Sequence, residues 1–174
     1  NIFTEYIDIN NEVLHCAVDF NISCMNALVA IKRGNEIYFI DEISLTQRDA
    51  NTHSMVTEIK RRYPNRKIVI YPDASGRNRN TSSIDVNNTN HQVLRQAGFN
   101  LVFDHRGNPP IEDRTILVNS KILAASGKRT LFVHEKCKKF IGNLRIRVYK
   151  NNLPEKDGIS DHLCDCMDYV CYSL

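Results

Sequence analysis

The sequence predicts a mixed-sheet α/β domain: a three-stranded antiparallel meander plus parallel strands, flanked by helices on both faces. Three observations carry this. Residues 13–43 hold three consecutive apolar or alternating runs separated by short polar breaks. The later chain alternates segments of helical period with short strand-like runs, the order expected when helices cover a sheet. Residues 67–71 contain an unbroken apolar core, as a central strand buried on both faces requires. At 174 residues, with 42% hydrophobic and 25% charged residues, a single domain over 1–174 is expected. A chain of this size buries roughly 70% of its unfolded surface.

Each element follows from its own pattern. Residues 13–20 and 25–32 are largely apolar, and 36–43 alternates Ile37, Phe39 and Asp41 against Tyr38, Ile40 and Glu42. Arg33-Gly34-Asn35 joins the second and third runs as a tight turn, because glycine tolerates positive φ. Over 48–63, Met55, Val56, Ile59 and Tyr63 recur at helical spacing, and Pro64 stops the helix. Ile68, Val69 and Ile70 then form a fourth strand, and this strand-helix-strand order favours a parallel crossover. The polar stretch 72–90 leads into a helix over 90–98, with Gly98 as its C′ residue. A short strand at 100–103, a loop at 105–110 and a helix over 112–125 follow, the helix carrying Ile116, Ile122 and Leu123 and ending at Gly127. Residues 130–133 read as a strand and 137–144 as a helix, and Pro154 breaks regular structure within 151–157. The last element is an amphipathic helix over 160–172, with Leu163, Met167, Val170 and Leu174 on one face and Ser160 or Asp161 as N-cap.

Several classes are disfavoured. No apolar run approaches the roughly 20 residues of a membrane span, there is no signal-like segment, and a soluble, intracellular protein is expected. Asn1 in place of Met leads to the expectation of a processed chain or a piece of a longer one. The net charge of +3 is too mild to argue for nucleic acid by itself. Cys16, Cys24, Cys137, Cys164, Cys166 and Cys171 form no C-x-x-C pair and fall largely in apolar patterns, so buried reduced thiols are expected in preference to zinc ligands.

The chemistry lies in the acids. Asp19 ends the first strand, Asp73 ends the fourth, and Asp165 interrupts the most apolar part of the run Asp161-His162-Leu163-Cys164-Asp165. A lone Asp at a strand end commonly begins a turn. Acids at two strand ends, able to lie side by side in a mixed sheet, instead need a cation, because an unpaired buried charge is very costly. Oxygen-loving Mg2+ or Mn2+ suits such a set. Asp161 can cap the helix or join the ligands, and His162 can ligate, transfer a proton or serve as a satisfied polar residue. After Asp73, the small residues Ala74, Ser75 and Gly76 would allow close approach of a phosphate, and Arg77 and Arg79 would contact a nucleic-acid backbone. Lys121, Lys128, Arg129, Lys136, Lys138 and Lys139 add positive charge, and Lys121 among them would contact nucleic acid.

Ala17-Val18-Asp19, Tyr71-Pro72-Asp73-Ala74-Ser75-Gly76, Glu112-Asp113-Arg114, Leu131-Phe132-Val133-His134, and Asp157-Gly158 with His162-Leu163-Cys164-Asp165 follow in that order. Together they resemble the C-terminal nuclease domain of tailed-phage terminase large subunits, over nearly the whole chain. The resemblance implies an RNase H-like fold and a metal-dependent endonuclease that cleaves concatemeric viral double-stranded DNA during genome packaging. It implies a pair of divalent ions held by Asp19, Asp73 and Asp165, with His162 or Asp161 placing a metal or moving a proton. Partners implied are the terminase motor domain, the small terminase subunit and the portal, with the host cytoplasm as location. Cys166 stands where relatives commonly have Ala, a change small enough to keep the packing. No G-x-x-x-x-G-K-[ST] phosphate loop occurs, so no ATPase activity is expected of this piece. Two alternatives stay open. The His162-x-x-Asp165 ending also resembles RuvC-like Holliday-junction resolvases, and a non-catalytic nucleic-acid-binding or docking domain would keep the fold as a scaffold.

Overall fold

The computed structural model describes residues 1–78, 89–103, 107–151, 153–158 and 160–174. Its strands are β1 (Ile2–Phe3), β2 (Leu14–Asp19), β3 (Cys24–Arg33), β4 (Glu36–Thr46), β5 (Ile68–Pro72), β6 (Asn100–Leu101), β7 (Leu131–His134), β8 (Tyr149–Lys150) and β9 (Leu153–Pro154). Its α-helices are α1 (Thr52–Arg62), α2 (Asn90–Gln96), α3 (Ile111–Ile122), α4 (Lys138–Ile146) and α5 (Asp161–Ser173).

Among the described residues, β1 to β7 form one mixed sheet in the order β1-β7-β4-β3-β2-β5-β6. The predicted meander is its centre: β2, β3 and β4 pair antiparallel, and Gly34 at φ 58 makes the tight turn between the last two. β5 then crosses over to lie parallel to β2 on the far side of the meander. β6 pairs parallel with β5, and β7 with β4. Strand β3 is buried from Met25 to Ile31 on both faces, consistent with its unbroken apolar run.

Two cores follow from the alternation of side chains across the sheet. On one face Met55 and Ile59 of α1 and Leu94 of α2 pack over Leu14, Cys16, Val18 and Ile70. On the other, Val118 of α3, Phe140 of α4 and the apolar residues of α5 pack over Ala17, Leu28, Phe39 and Val133. Helices therefore cover both faces, as the sequence predicts. Glu42 of β4 ties the second layer to the sheet, its carboxylate accepting from the backbone N–H of Lys139 at 2.9 Å and of Phe140 at 2.7 Å. This supplies a cap for α4 that no neighbouring side chain provides.

Three local expectations are corrected, and one strand is added. Helix α1 begins at Thr52 and not at residue 48, because Asn51 adopts an extended conformation and accepts from Ser54 N at 2.9 Å, a typical N-cap. The break at Pro154 is a short hairpin, β8 against β9, turning through Asn151 at φ 52. Strand β1, too short to have a periodicity, pairs parallel with β7. Helix α5 is buried on all sides from Asp161 to Cys171, not amphipathic, because β2, β3 and β5 lie beneath it and α3 and α4 beside it. All six cysteines are free thiols, five of them buried, and burial pushes Cys16, Cys137 and Cys164 up to about 12. Among the described residues, no helix is long and apolar enough to cross a membrane.

Candidate active site

The parallel pairing of β2 and β5 fixes the first two acids. Val18 is the register partner of Pro72, and Asp73 N donates to Val18 O at 2.9 Å, so Asp19 and Asp73 leave the same edge of neighbouring strands. Asp73 also caps a one-turn 3-10 segment over Ala74–Arg77. Its Oδ1 accepts from Ser75 N at 3.0 Å and its Oδ2 from Ser75 Oγ at 2.8 Å. Asn108 buttresses this turn: Nδ2 donates to Asp73 Oδ1 at 2.6 Å, and Oδ1 accepts from Ala74 N at 2.9 Å. Nε2 of His91, on α2, donates to the Asp73 carbonyl at 2.8 Å.

Gly76 also packs this turn inward: a Cβ there would lie 2.4 Å from the Phe20 ring and 2.7 Å from His91 Cδ2, so only glycine fits the backbone at this position. Arg77 closes the turn with Nε 3.2 Å from Ala74 O. Arg79 lies outside the described residues. Lys121 is half-buried near the C-terminal end of α3, about 10 Å along that helix from the site described next, and is not gathered with the acids.

Helix α5 supplies the other side chains. His162 Nδ1 lies 2.7 Å from Asp19 Oδ2. Its Nε2 is 3.1 Å from Asn21 Nδ2 and 3.1 Å from Gly158 O, so the neutral ring accepts from Asn21 and the imidazolium donates to Gly158. One turn along, Asp165 meets two cations. Lys156 Nζ contacts its Oδ2, and Arg114 NH1 of α3 lies 3.5 Å from its Oδ1. Lys156 Nζ is also 3.7 Å from Asp161 Oδ2. Asp161 does not cap the helix; it is buried, with Oδ1 lacking a hydrogen-bond partner, and Ser160 N donates instead to Asp157 Oδ1 at 2.7 Å. Behind Asp165, Asp168 pairs with Arg147 at 3.3 Å and Arg114 at 3.7 Å, and the Arg114 guanidinium lies 5.2 Å from the Tyr169 ring centre.

The electrostatics follow from burial. Asp19 is raised to about 6, first by burial and then by the negative charges of Asp73 and Asp165, with His162 opposing. Tyr169 is held far above the usual phenol range by burial and by Asp73, Asp165 and Asp19. Burial also raises Asp168, against the pull of Arg147 and Arg114. Asp19, Asp73 and Asp165 thus bear on one another at the edge where α5 crosses β2 and β5, with Asp161 and His162 alongside. Among the described residues, no three His, Cys, Asp or Glu side chains close on a point that would hold an ion. Each acid of the three is turned to a neighbour: Asp19 to His162, Asp73 to Ser75 and Asn108, Asp165 to Lys156.

Sequence reasoning misses Asn108, Lys156, Asp168 and Tyr169, and quotes Arg114 without a role. Asp168 carries the same signal as Asp165, an acid inside an apolar helical run. Asn108 and Lys156 lie in polar loops, where only the fold brings them to the acids.

This architecture, a meander extended by parallel strands with helices on both faces, is an RNase H-like fold. More particularly, it is the fold of large terminase nuclease domains. The phage P22 large terminase nuclease domain is similar with a TM-score of 0.69 at 16% identity, over 97% of this chain and 84% of that one. The large terminase of a thermophilic bacteriophage gives 0.70 at 12% identity, over 99% of this chain and 41% of that one, so this chain spans less than half the length of that protein. The nuclease domain of the bacteriophage SPP1 large terminase, determined with bound Mn, gives 0.61 at 16% identity, over 99% and 95%. No family model and no curated protein sequence matches the chain. At these identities the likeness is one of fold.

Proposed function

We propose that this chain is a nuclease domain of the large-terminase kind, a divalent-metal-dependent endonuclease that cuts concatemeric double-stranded viral DNA during packaging. The carrying observation is Asp19, a buried carboxyl raised to about 6 by its own burial and by Asp73 and Asp165. Three acids so disposed have an excess of negative charge that an Mg2+ or Mn2+ ion would neutralise. The fit to a cation is supported by Oδ1 of Asp161, buried without a hydrogen-bond partner, and by the two cations, Lys156 and Arg114, that already face Asp165. The bound Mn in the SPP1 domain supports the same choice of ion.

Asp19, Asp73 and Asp165 would hold a pair of ions, with Asp161 next to them. Such ions supply a nucleophile at neutral pH and stabilise the leaving oxygen in phosphodiester hydrolysis. The protein's own groups set the frame. His162 holds Asp19 through Nδ1, and its Nε2 lies within hydrogen-bond distance of Asn21 Nδ2 and Gly158 O, so the ring is fixed at both nitrogens. Asn108 and Ser75 hold the Asp73 carboxylate, and Arg114 steadies Asp165 from behind. Because the scissile group is a phosphate and no base edge is addressed, cleavage should show little sequence preference. Arg77 lies in the turn following Asp73, where a DNA backbone would pass, and Arg79 and Lys121 are weaker candidates for the same contact. A motor domain, the small terminase subunit and the portal would be the partners, in the host cytoplasm.

The test is Asp73→Asn on linear and four-way-junction DNA with Mn2+. Loss of cutting with an unchanged circular dichroism spectrum is expected, and wild-type preference for linear over branched substrate. Cutting that survives the substitution would remove Asp73 from the site, and preference for the junction would favour a resolvase.

A further inference from the structure

The geometry points to Lys156 as an exchangeable counter-ion of the acid site, occupying Asp165 and Asp161 when no divalent cation is bound and giving way when one binds. This rests on the metal-dependent reading above. Two cations serve Asp165, and they differ in kind. Arg114 is 4% exposed, lies against the Tyr169 ring and is shared with Asp168, so it cannot leave without stranding a buried charge. The Lys156 side chain is 37% exposed and approaches from the solvent side on a four-carbon stem with a strongly hydrated head. Its segment is anchored independently of the contact, by Glu155 N donating to Val148 O at 2.8 Å and by the buried Pro154 of β9. The ammonium can therefore swing away while the backbone stays.

The acids are incompletely satisfied by this lysine. Lys156 meets Oδ2 of each, while Oδ1 of Asp161 is buried without a hydrogen-bond partner and Oδ1 of Asp165 faces Arg114 at 3.5 Å with no hydrogen bond formed. A single ammonium supplies one charge and three donors along one side of the pair. A divalent ion supplies twice the charge and binds several oxygens at once, so it outcompetes the lysine above a threshold concentration that Lys156 itself sets. Removing Lys156 should lower that threshold and leave the metal-free protein less stable.

The experiment titrates Mn2+ calorimetrically into wild type, Lys156→Met, Lys156→Gln and Asp165→Asn, and melts each protein in chelator. Tighter Mn2+ binding by about fivefold or more is expected for both Lys156 variants, on the scale of a partly buried ion pair. A lower melting temperature in chelator, restored by saturating Mn2+, is expected with it. Equal Mn2+ affinity in wild type and both variants, with binding lost in Asp165→Asn, would overturn the role of Lys156 and leave the metal reading standing. Tighter binding without loss of metal-free stability would overturn it too, leaving only a long-range charge effect. Absence of Mn2+ binding in wild type and variants alike would overturn both readings.

Discussion

His162 reaches across 143 residues to place Nδ1 2.7 Å from Asp19 Oδ2, joining the first strand of the candidate site to its last helix. Even with that partner, Asp19 is raised from 3.8 to about 6, because burial and the acids around it outweigh the imidazole. A carboxyl with a raised folded-state pKa stabilises the fold below its unfolded pKa and loses that contribution as pH rises through its folded pKa. For Asp19 the loss falls between about 4 and about 6. Asp19→Asn, which still accepts from His162, should therefore stabilise the metal-free protein at neutral pH by up to about 3 kcal/mol. The gain should fade toward about pH 4, as urea denaturation in chelator across that range will measure. Saturating Mn2+ should reverse the order of the two proteins.

Asp168 carries the heaviest structural burden of the α5 acids. It is 1% exposed and is the anion shared by Arg114 and Arg147. Asp168→Ala would leave two guanidinium groups buried with one fewer partner, at a cost of about 3–5 kcal/mol. Asp168→Asn, which keeps an acceptor oxygen, should cost less. Chemical denaturation at neutral pH separates the two.

Gly76→Ala places a methyl 2.4 Å from the Phe20 ring, a contact no real Cβ makes. A loss of about 1–3 kcal/mol is expected from this overpacking. At this chain length each kcal/mol lowers the melting temperature by about 2–4 °C. Phe20→Leu should recover part of the loss in the double variant while being destabilising alone, a coupling that independent sites do not show.

Asn108 touches Asp73, Ala74 and Tyr169 at once. Asn108→Ala strips an acceptor from Ala74 N and a donor from Asp73, and should cost about 1–2 kcal/mol. Tyr169→Phe breaks only the 3.2 Å contact to Asn108 and should cost less. Thermal melts of the pair give the ranking, and equal losses would contradict it.

What the sequence disclosed, and what it hid, divides along a physical line. Strands β2 to β5 and the five helices were legible because burial on a sheet or helix imposes a period on apolar residues, as in Ile68-Val69-Ile70 or Met55 and Ile59. That Asp19 and Asp73 end neighbouring strands was legible from their place at the ends of two apolar runs. The all-round burial of α5 was not, since its circumference includes Asp161, His162, Asp165 and Asp168, whose burial depends on partners from α3 and the segment after β9. Lys156 and Asn108 carry no periodicity at all; only the fold brings Lys156, after β9, to Asp165 and Asn108, before α3, to Asp73.

The placement of Asp165 on α5 has a consequence for biosynthesis. The first strand of the meander bears Asp19, yet the acid that completes the set lies on an element translated long afterward. At about 5–20 residues per second, a ribosome reaches that codon on the order of ten seconds after Asp19. Throughout that interval the growing polypeptide, already able to pair β2 with β3 and β4, has no complete set of acids. If these acids form the proposed cutting centre, synthesis order alone would leave it incomplete until α5 is made.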